Sequence, residues 1–244
     1  MNNPLQSLID GFEDFRREYF ERSTALFDAL RLGQQPKVLL IGCSDSRADP
    51  AILTRAQPGE LFIVRNVAAI VPPYAPDGLH HGTSSAIEFA IRGLEVEHVV
   101  VLGHGMCGGM RALAEPDAVR LEFISDWVEL MAEARDAVMA ADLPPDQRLP
   151  TLEKASLLCS VRNLTTFPWV RERLERGALT LHAWYFDIGA GELLAFDAAA
   201  AAFLPARGHT HPIEGAHASD RDGHSPFDLQ RFVRSAVAKP SGEM

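Results

Sequence analysis

The chain has 244 residues, 47% hydrophobic and 23% charged, with a formal net charge of −10. That is enough to bury a full core as one large domain or two small ones. The acidic balance repels phosphate backbones and argues against nucleic acid as a partner. No apolar run reaches the roughly 18 residues needed to span a bilayer, so no membrane partner is expected.

The opening MNNPLQSLIDGFEDF lacks a basic segment followed by a long apolar one, so no secretory signal is expected. The three cysteines make no disulfide framework, and metal-binding thiols need a reducing compartment, so the expected location is cytoplasmic. Residues 5–32 carry apolar side chains at Leu5, Leu8, Ile9, Phe12, Phe15, Tyr19, Phe20, Leu26, Phe27 and Leu30. The spacing of three and four predicts one or two amphipathic helices ending at Gly33. Such an arm packs either on a dimer partner or on its own core, and the residues leave both open.

Val38–Ile41, Leu61–Val64 and Val99–Leu102 are continuous apolar runs, as in strands buried on both faces. Thr83–Arg92 has a helical pattern between the second and third. Strands alternating with helices predict an α/β fold with a mainly parallel central sheet flanked by helices. Residues 118–141 read as one long helix broken by Pro144-Pro145, and 151–164 and 168–176 as two more. Leu179–Phe186 reads as a strand, and Leu193–Phe196 pairs back on it as a hairpin. The expected organisation is one domain over 1–204, with 1–32 as its helical arm, and a partly disordered tail over 205–244. Within that tail, 206–226 is rich in His, Gly and Pro, and Phe227–Val237 has the pattern of a short helix.

Two motifs carry chemistry: Cys43-Ser44-Asp45-Ser46-Arg47 and His104-Gly105-Met106-Cys107-Gly108-Gly109. Each follows an apolar strand, and sites in open parallel sheets form at the carboxyl ends of strands. Zinc favours thiolate sulfur and imidazole nitrogen, and a catalytic zinc keeps one position open. Cys43, His104 and Cys107 are therefore the candidate metal ligands. His104 and Cys107 are three apart, so one turn presents both to the same point. In extended geometry Cys43, Asp45 and Arg47 share a face, and Arg47 can hold the Asp45 carboxylate by a bidentate contact. Two states follow. With the pair made, Asp45 accepts a hydrogen bond from metal-bound water. With it broken, Asp45 ligates the metal and closes the site.

Other residues have plainer explanations. Cys159 lies on an apolar helical stretch and reads as core. His80, His81 and the tail histidines His209, His211, His217 and His224 read as solvated loop residues. Two thiolates already neutralise a dication and weaken its pull on water relative to three histidines, so activity should rise toward alkaline pH.

These segments, with Pro58–Pro73, Gly82–Ile91, SVRNL and LHAWYFDIGAGEL, resemble the β-class carbonic anhydrases, over about Gly33 to Asp197. The resemblance implies reversible hydration of carbon dioxide to bicarbonate and a proton, by attack of zinc-bound hydroxide. It implies Zn2+ on Cys43, His104 and Cys107, the Asp45–Arg47 dyad beside it, and Asp45 as fourth ligand in a closed form only. It implies an N-terminal arm wrapped on a partner in a homodimer or dimer of dimers. By position, Gln34, Phe62, Val67 and Phe89 line the substrate pocket, with Gln34 and the Gly108 N–H donating to a substrate oxygen. Plant-like members carry Tyr where Phe89 stands. Some members bind bicarbonate at a non-catalytic site made by a Trp, an Arg and a Tyr. Those positions here are Leu40, Arg65 and Phe186, so inhibition of that type is not expected. The alternatives are a carbonyl sulfide or carbon disulfide hydrolase on the same scaffold, or a non-catalytic structural zinc module with Cys159 as fourth ligand. A redox role for Cys43 and Cys107 is weak without Cys-x-x-Cys spacing.

Overall fold

The computed structural model describes residues 3–116, 121–208, 211–213 and 227–237. The chain divides into two compact units, Met1–Gln35 and Pro36–Met244.

The first unit is helical, as its periodicity predicts. Helix α1 (Pro4–Arg16) begins with Pro4 in its first turn, and the Asn3 side chain accepts from the Leu5 N–H at 3.1 Å. These are start signals written in the sequence, because proline needs no N–H there and asparagine satisfies an orphan donor. The helix widens into a π turn over Arg17–Arg22, and α2 (Ala25–Leu30) follows. Phe15, Tyr19, Phe20 and Phe27 pack their rings together, with centroids between 4.7 and 6.3 Å apart. Leu5, Leu8, Ile9 and Phe12 remain open to solvent, Leu8 at 72%.

The second unit is built on a six-stranded sheet in the order β2-β1-β3-β4-β5-β6. Strands β1 (Val38–Cys43), β2 (Leu61–Asn66), β3 (His98–His104) and β4 (Thr180–Asp187) are mutually parallel. Strands β5 (Glu192–Asp197) and β6 (Ala202–Pro205) extend it antiparallel. The continuous apolar runs have the expected origin. Alternate residues Leu39, Ile41, Val99, Val101, Leu181 and Ala183 enter the main core, and Leu40, Val100 and Leu102 form a smaller cluster on the opposite face.

Helices α3 (Pro50–Thr54), α4 (Gly82–Glu88), α5 (Gly108–Ala114), α6 (Ile124–Glu129), α7 (Ala132–Met139), α8 (Pro145–Leu164) and α9 (Pro168–Glu175) complete most of the layers. Three details differ from the sequence expectations. The single helix expected over 118–141 is two, α6 and α7, and residues 117–120 lie outside the described residues. No Gly or Pro marks the break; the kink at Met131 places that side chain at 0% exposure, so tertiary burial overrides helical propensity. Helix α8 starts at Pro145 rather than 151 and runs through Pro150. A proline this early forfeits few intrahelical bonds. Strand β6 is only four residues long, Ala202-Phe203-Leu204-Pro205, follows an alanine run, and is fixed by its pairing with β5.

Residues beyond 204 also enter this unit. Helix α10 (Leu229–Val237) matches the terminal helix expected over Phe227–Val237. Phe232 is 4% exposed and packs its ring on Phe196 and Phe203 at 6.2 and 5.9 Å. Most of the expected loop over 206–226 lies outside the described residues. Phe232→Ala should therefore destabilise the fold by about 3 kcal/mol, from lost burial plus the residual cavity. Urea unfolding of the full chain checks this, and a change under 1 kcal/mol would show that α10 is an ornament.

Candidate metal centre

Cys43 is the last residue of β1 and His104 the last of β3, and these strands are adjacent and parallel. Parallel pairing therefore brings both residues to the carboxyl edge of the sheet. Cys107 follows at the start of α5, after a tight turn in which Met106 takes a left-handed φ of 57°. One sulfur from Cys43, one ring nitrogen from His104 and one sulfur from Cys107 all lie within 4.8 Å of one another, and all three residues are buried. Tetrahedral zinc spaces its ligands by roughly 3.7 Å, so the cluster is of the right size.

Each donor is prepared for a cation. Cys43 Sγ accepts N–H groups from Asp45 at 3.4 Å and Ala68 at 3.3 Å. His104 Nδ1 lies 2.9 Å from the Gly105 carbonyl, which assigns its proton to Nδ1 and leaves Nε2 as the ligand atom. Nε2 is buried and has no hydrogen-bond partner among the described residues. An orphaned buried acceptor in the middle of two thiols is what a metal site leaves when read without its ion. The thiols behave as a coupled pair. The hydrogen bond from Cys107 draws the Cys43 thiol toward its anion, and the same bond with burial pushes Cys107 up. Both sulfurs would hold a dication as thiolates, so metal binding would release protons.

The surrounding backbone is strained to serve this cluster. Ala68 and Ala69 adopt left-handed φ values of 67° and 54°, which costs about 1 kcal/mol or more each for a residue with a Cβ. The turn is held by Asn66, whose side chain donates to the Ile70 carbonyl at 2.8 Å and accepts from the Ile70 N–H at 2.9 Å. Its product is the Ala68 N–H aimed at Cys43. Gly109 faces this turn, and a Cβ there would stand 2.9 Å from Ala68 Cβ and Val67 Cγ1. The glycine is required for close approach.

Asp45 and Arg47 form the expected bidentate pair, Nε to Oδ1 at 3.0 Å and Nη2 to Oδ2 at 2.7 Å. It arises differently from the sequence expectation. β1 ends at Cys43, so the extended geometry assumed for Cys43, Asp45 and Arg47 does not hold. A turn brings Asp45 and Arg47 together, with the Ala48 N–H on the Asp45 carbonyl at 3.1 Å and the Arg47 N–H on Asp45 Oδ1 at 2.9 Å. Arg47 Nη2 also donates to the Met106 carbonyl at 3.0 Å, tying the two motifs to each other. The guanidinium holds the Asp45 carboxyl well below the usual carboxylate range. Asp45 Oδ2 lies 3.8 Å from His104 Nε2, at the edge of the cluster.

Arg65, singled out by the resemblance only at the position of a bicarbonate site, takes a different role here. Its Nε and Nη2 donate to the Cys43 and Asp45 carbonyls at 2.9 and 2.7 Å, and its Nη1 pairs with Asp49 at 2.6 Å. It pins the backbone on both sides of the first motif. Buried Glu153 was also missed. Its only signal was an acidic residue within the apolar stretch of α8, and it accepts the Cys107 N–H at 2.8 Å.

Of the expected pocket residues, Phe62 and Phe89 have ring centroids 5.8 Å apart. Val67 lies in the turn against Gly109, its carbonyl accepting from Trp127 Nε1 at 2.8 Å. Gly108 opens α5 with free space where a side chain would project. Gln34 stands exposed at the end of the first unit. Cys159 is core, as expected: it is 2% exposed, burial pushes its thiol up to about 11, and it is outside the cluster. His81 pairs with exposed Asp77 at 2.6 Å.

The comparisons agree with this geometry. The carbonic anhydrase family profile matches residues 38–193. A carbonic anhydrase of Synechocystis is 34% identical over 86% of this chain and 77% of its own length. One of Pseudomonas aeruginosa is 38% identical over 84% of this chain and 93% of its own. The solved β-carbonic anhydrase CcaA superimposes with a TM-score of 0.78 at 35% identity, covering 83% of this chain and 100% of that one. A structure from Sordaria macrospora, described as one of two tetrameric β-carbonic anhydrases, gives 0.70 at 27% identity over 80% and 97% of the two chains. The chain belongs to the β-carbonic anhydrases, zinc enzymes that hydrate carbon dioxide to bicarbonate. Nothing in these findings favours a carbonyl sulfide or carbon disulfide hydrolase, or a structural zinc module.

Cys43→Ser, His104→Ala and Cys107→Ser should each lose most of the zinc that the purified chain retains after dialysis, whereas Cys159→Ser should keep it. Elemental analysis per chain decides; zinc lost from the Cys159 variant would reinstate a four-ligand structural site.

Proposed function

We propose that Cys43, His104 and Cys107 hold the zinc of this carbonic anhydrase and that Asp45 and Arg47 are its catalytic dyad. The observation that carries this reading is the Asp45–Arg47 pair formed at the edge of the Cys–His–Cys cluster. Zinc, when bound, supplies a Lewis acid that makes water at the site acidic enough to ionise near neutral pH. Asp45 Oδ2, beside the ligand cluster, accepts a hydrogen bond from the reacting water and fixes its orientation. Arg47 keeps Asp45 ionised and turned to its task, and the Met106 carbonyl keeps Arg47 in place. Phe62, Val67 and Phe89 offer apolar surface for carbon dioxide, and the Gly108 N–H donates to a substrate oxygen. Phe89 brings no hydroxyl to this pocket.

The assembly belongs to the same reading: a homodimer or dimer of dimers in the cytoplasm, with the arm over 1–32 packed on a partner and the catalytic body including helix α10 from the stretch expected as a tail over 205–244. The open apolar side chains Leu5, Leu8, Ile9 and Phe12 support it, since a surface of this kind favours burial. No helix among the described residues is long and apolar enough to cross a membrane.

A carboxyl with a depressed folded pKa contributes stability above its unfolded value of about 3.9 and loses it as pH falls. Asp45 therefore stays ionised from weakly acidic to alkaline pH. A rise in activity toward alkaline pH has to come from the water. Stopped-flow hydration by the zinc-loaded chain should show that rise, and Asp45→Asn should lower kcat about 100-fold. A rate flat across this range, or an Asn variant as fast as the parent, would sink the assignment.

Leu40 and Phe186 belong to the apolar cluster on the second face of the sheet, and three donors of Arg65 are already engaged. Bicarbonate added during initial-rate hydration assays should therefore act only as product. Sigmoidal inhibition, or Asp45 ligating the metal in alkaline crystals, would show a closing device that these residues do not provide.

A further inference from the structure

Glu153 is 3% exposed on α8, and nothing in the reading above uses it. A carboxylate is expensive to bury, and it stays only where its lone pairs are filled. Both oxygens are filled from the sheet edge. The Cys107 N–H donates to Oε1 at 2.8 Å, and the Tyr185 hydroxyl donates to Oε2 at 2.7 Å. Tyr185 is itself 3% exposed on β4. Its hydroxyl also backs the turn between the ligands, since a Cβ on Gly105 would stand 3.1 Å from it. The Lys154 ammonium lies 4.7 Å from the Tyr185 ring centroid, a cation against the face of the ring that carries the hydroxyl.

Three elements distant in sequence thus meet at one carboxylate: the ligand turn after β3, helix α8 and strand β4. The turn needs such a fastening. Met106 is exposed and left-handed; Arg47 holds its carbonyl, and the Phe186 carbonyl accepts the Gly105 N–H at 2.9 Å. Among the described residues, the Glu153 carboxylate is the group that takes the Cys107 N–H.

We infer that Glu153, braced by Tyr185, is a positioning residue that sets the Cys107 main chain so that its sulfur meets the metal together with Cys43 and His104. The inference rests on the zinc-site reading above. Partners of this kind around a metal ligand are worth about 10- to 100-fold in metal affinity. The acceptor atom is what matters. A glutamine keeps it toward Cys107 and can turn its amide N–H2 toward the tyrosine oxygen, which then accepts.

The test uses the full chain in its zinc form, with affinity read by chelator competition, and in its Co2+ form, whose sulfur-to-cobalt charge-transfer and d–d bands report ligand geometry. Glu153→Ala should weaken zinc about 10- to 100-fold and shift the cobalt bands. Glu153→Gln should restore both to near the parent. Leu152→Ala, on the same helix and fully buried, should lower stability and leave both unchanged. If Glu153→Ala does not fold, Glu153→Met fills the volume without an acceptor and takes its place. Parent-like affinity and spectrum in the Ala or Met variant would overturn the inference. So would equal effects from Leu152→Ala, which would mean mere destabilisation, or a Gln variant as weak as Ala, which would mean that charge and not the hydrogen bond matters. The zinc-site reading fails separately, if the parent itself binds no zinc or shows no sulfur-to-cobalt band.

Discussion

Two sulfurs and an imidazole nitrogen, buried together within 4.8 Å, make an arrangement that protein alone does not favour. Desolvated thiolates repel, and a buried acceptor without a donor is costly. The rest of the structure around the sheet edge follows from assembling this cluster anyway. Parallel pairing of β1 with β3 brings Cys43 and His104 to one edge, and the turn after β3 returns Cys107 to the same point. The backbone there departs from easy conformations at Met106, Ala68 and Ala69. Of these, Ala68 aims its N–H at the Cys43 sulfur.

The charges around the cluster are arranged in a consistent order. N–H groups from Asp45 and Ala68 meet Cys43 directly, and the Glu153 carboxylate is kept one step back, touching Cys107 only through its main chain. Arg47 and Arg65 face the first motif from the other side, one on the Asp45 side chain and one on its carbonyl. The two sulfurs and the unpartnered imidazole nitrogen suit a dication. Metal affinity should therefore be coupled to pH by the chemistry of the sulfurs rather than by Asp45.

Much of this was legible in the sequence for physical reasons. Val38–Ile41 and Val99–Leu102 have the pattern of strands buried on both faces, which places the motifs that follow them at the carboxyl edge. Cys43, His104, Cys107 and the Asp45–Arg47 pair were legible because their chemistry is carried by residue type and short spacing. What escaped depends on contacts distant in sequence. Glu153 and Cys107 are 46 residues apart, and Arg65 and Asp45 are 20 apart. Neither has a local pattern; an acid on an apolar helix and an arginine in a strand acquire meaning only once the sheet is assembled. The helix break at Met131 and strand β6 escaped for the same reason, because burial and pairing, not propensity, decide them.

Arg65 also bears on how the first motif can move. By holding the Cys43 and Asp45 carbonyls it fixes the main chain on both sides of Ser44. Any closing of the site by Asp45 must then be a side-chain event that breaks its charge-assisted bonds to Arg47. Asp45 is partly exposed and Arg47 more so, and solvent screening weakens those bonds. The cost is small enough for ligation to meet, but it has to be met locally. The second face of the sheet, where Leu40 and Phe186 contribute apolar contact, also carries Arg65, whose donors are engaged by the Cys43 and Asp45 carbonyls and by Asp49. A swing of the Asp45 side chain is therefore opposed most directly by Arg47, and the Arg47–Met106 contact makes the second motif a party to it.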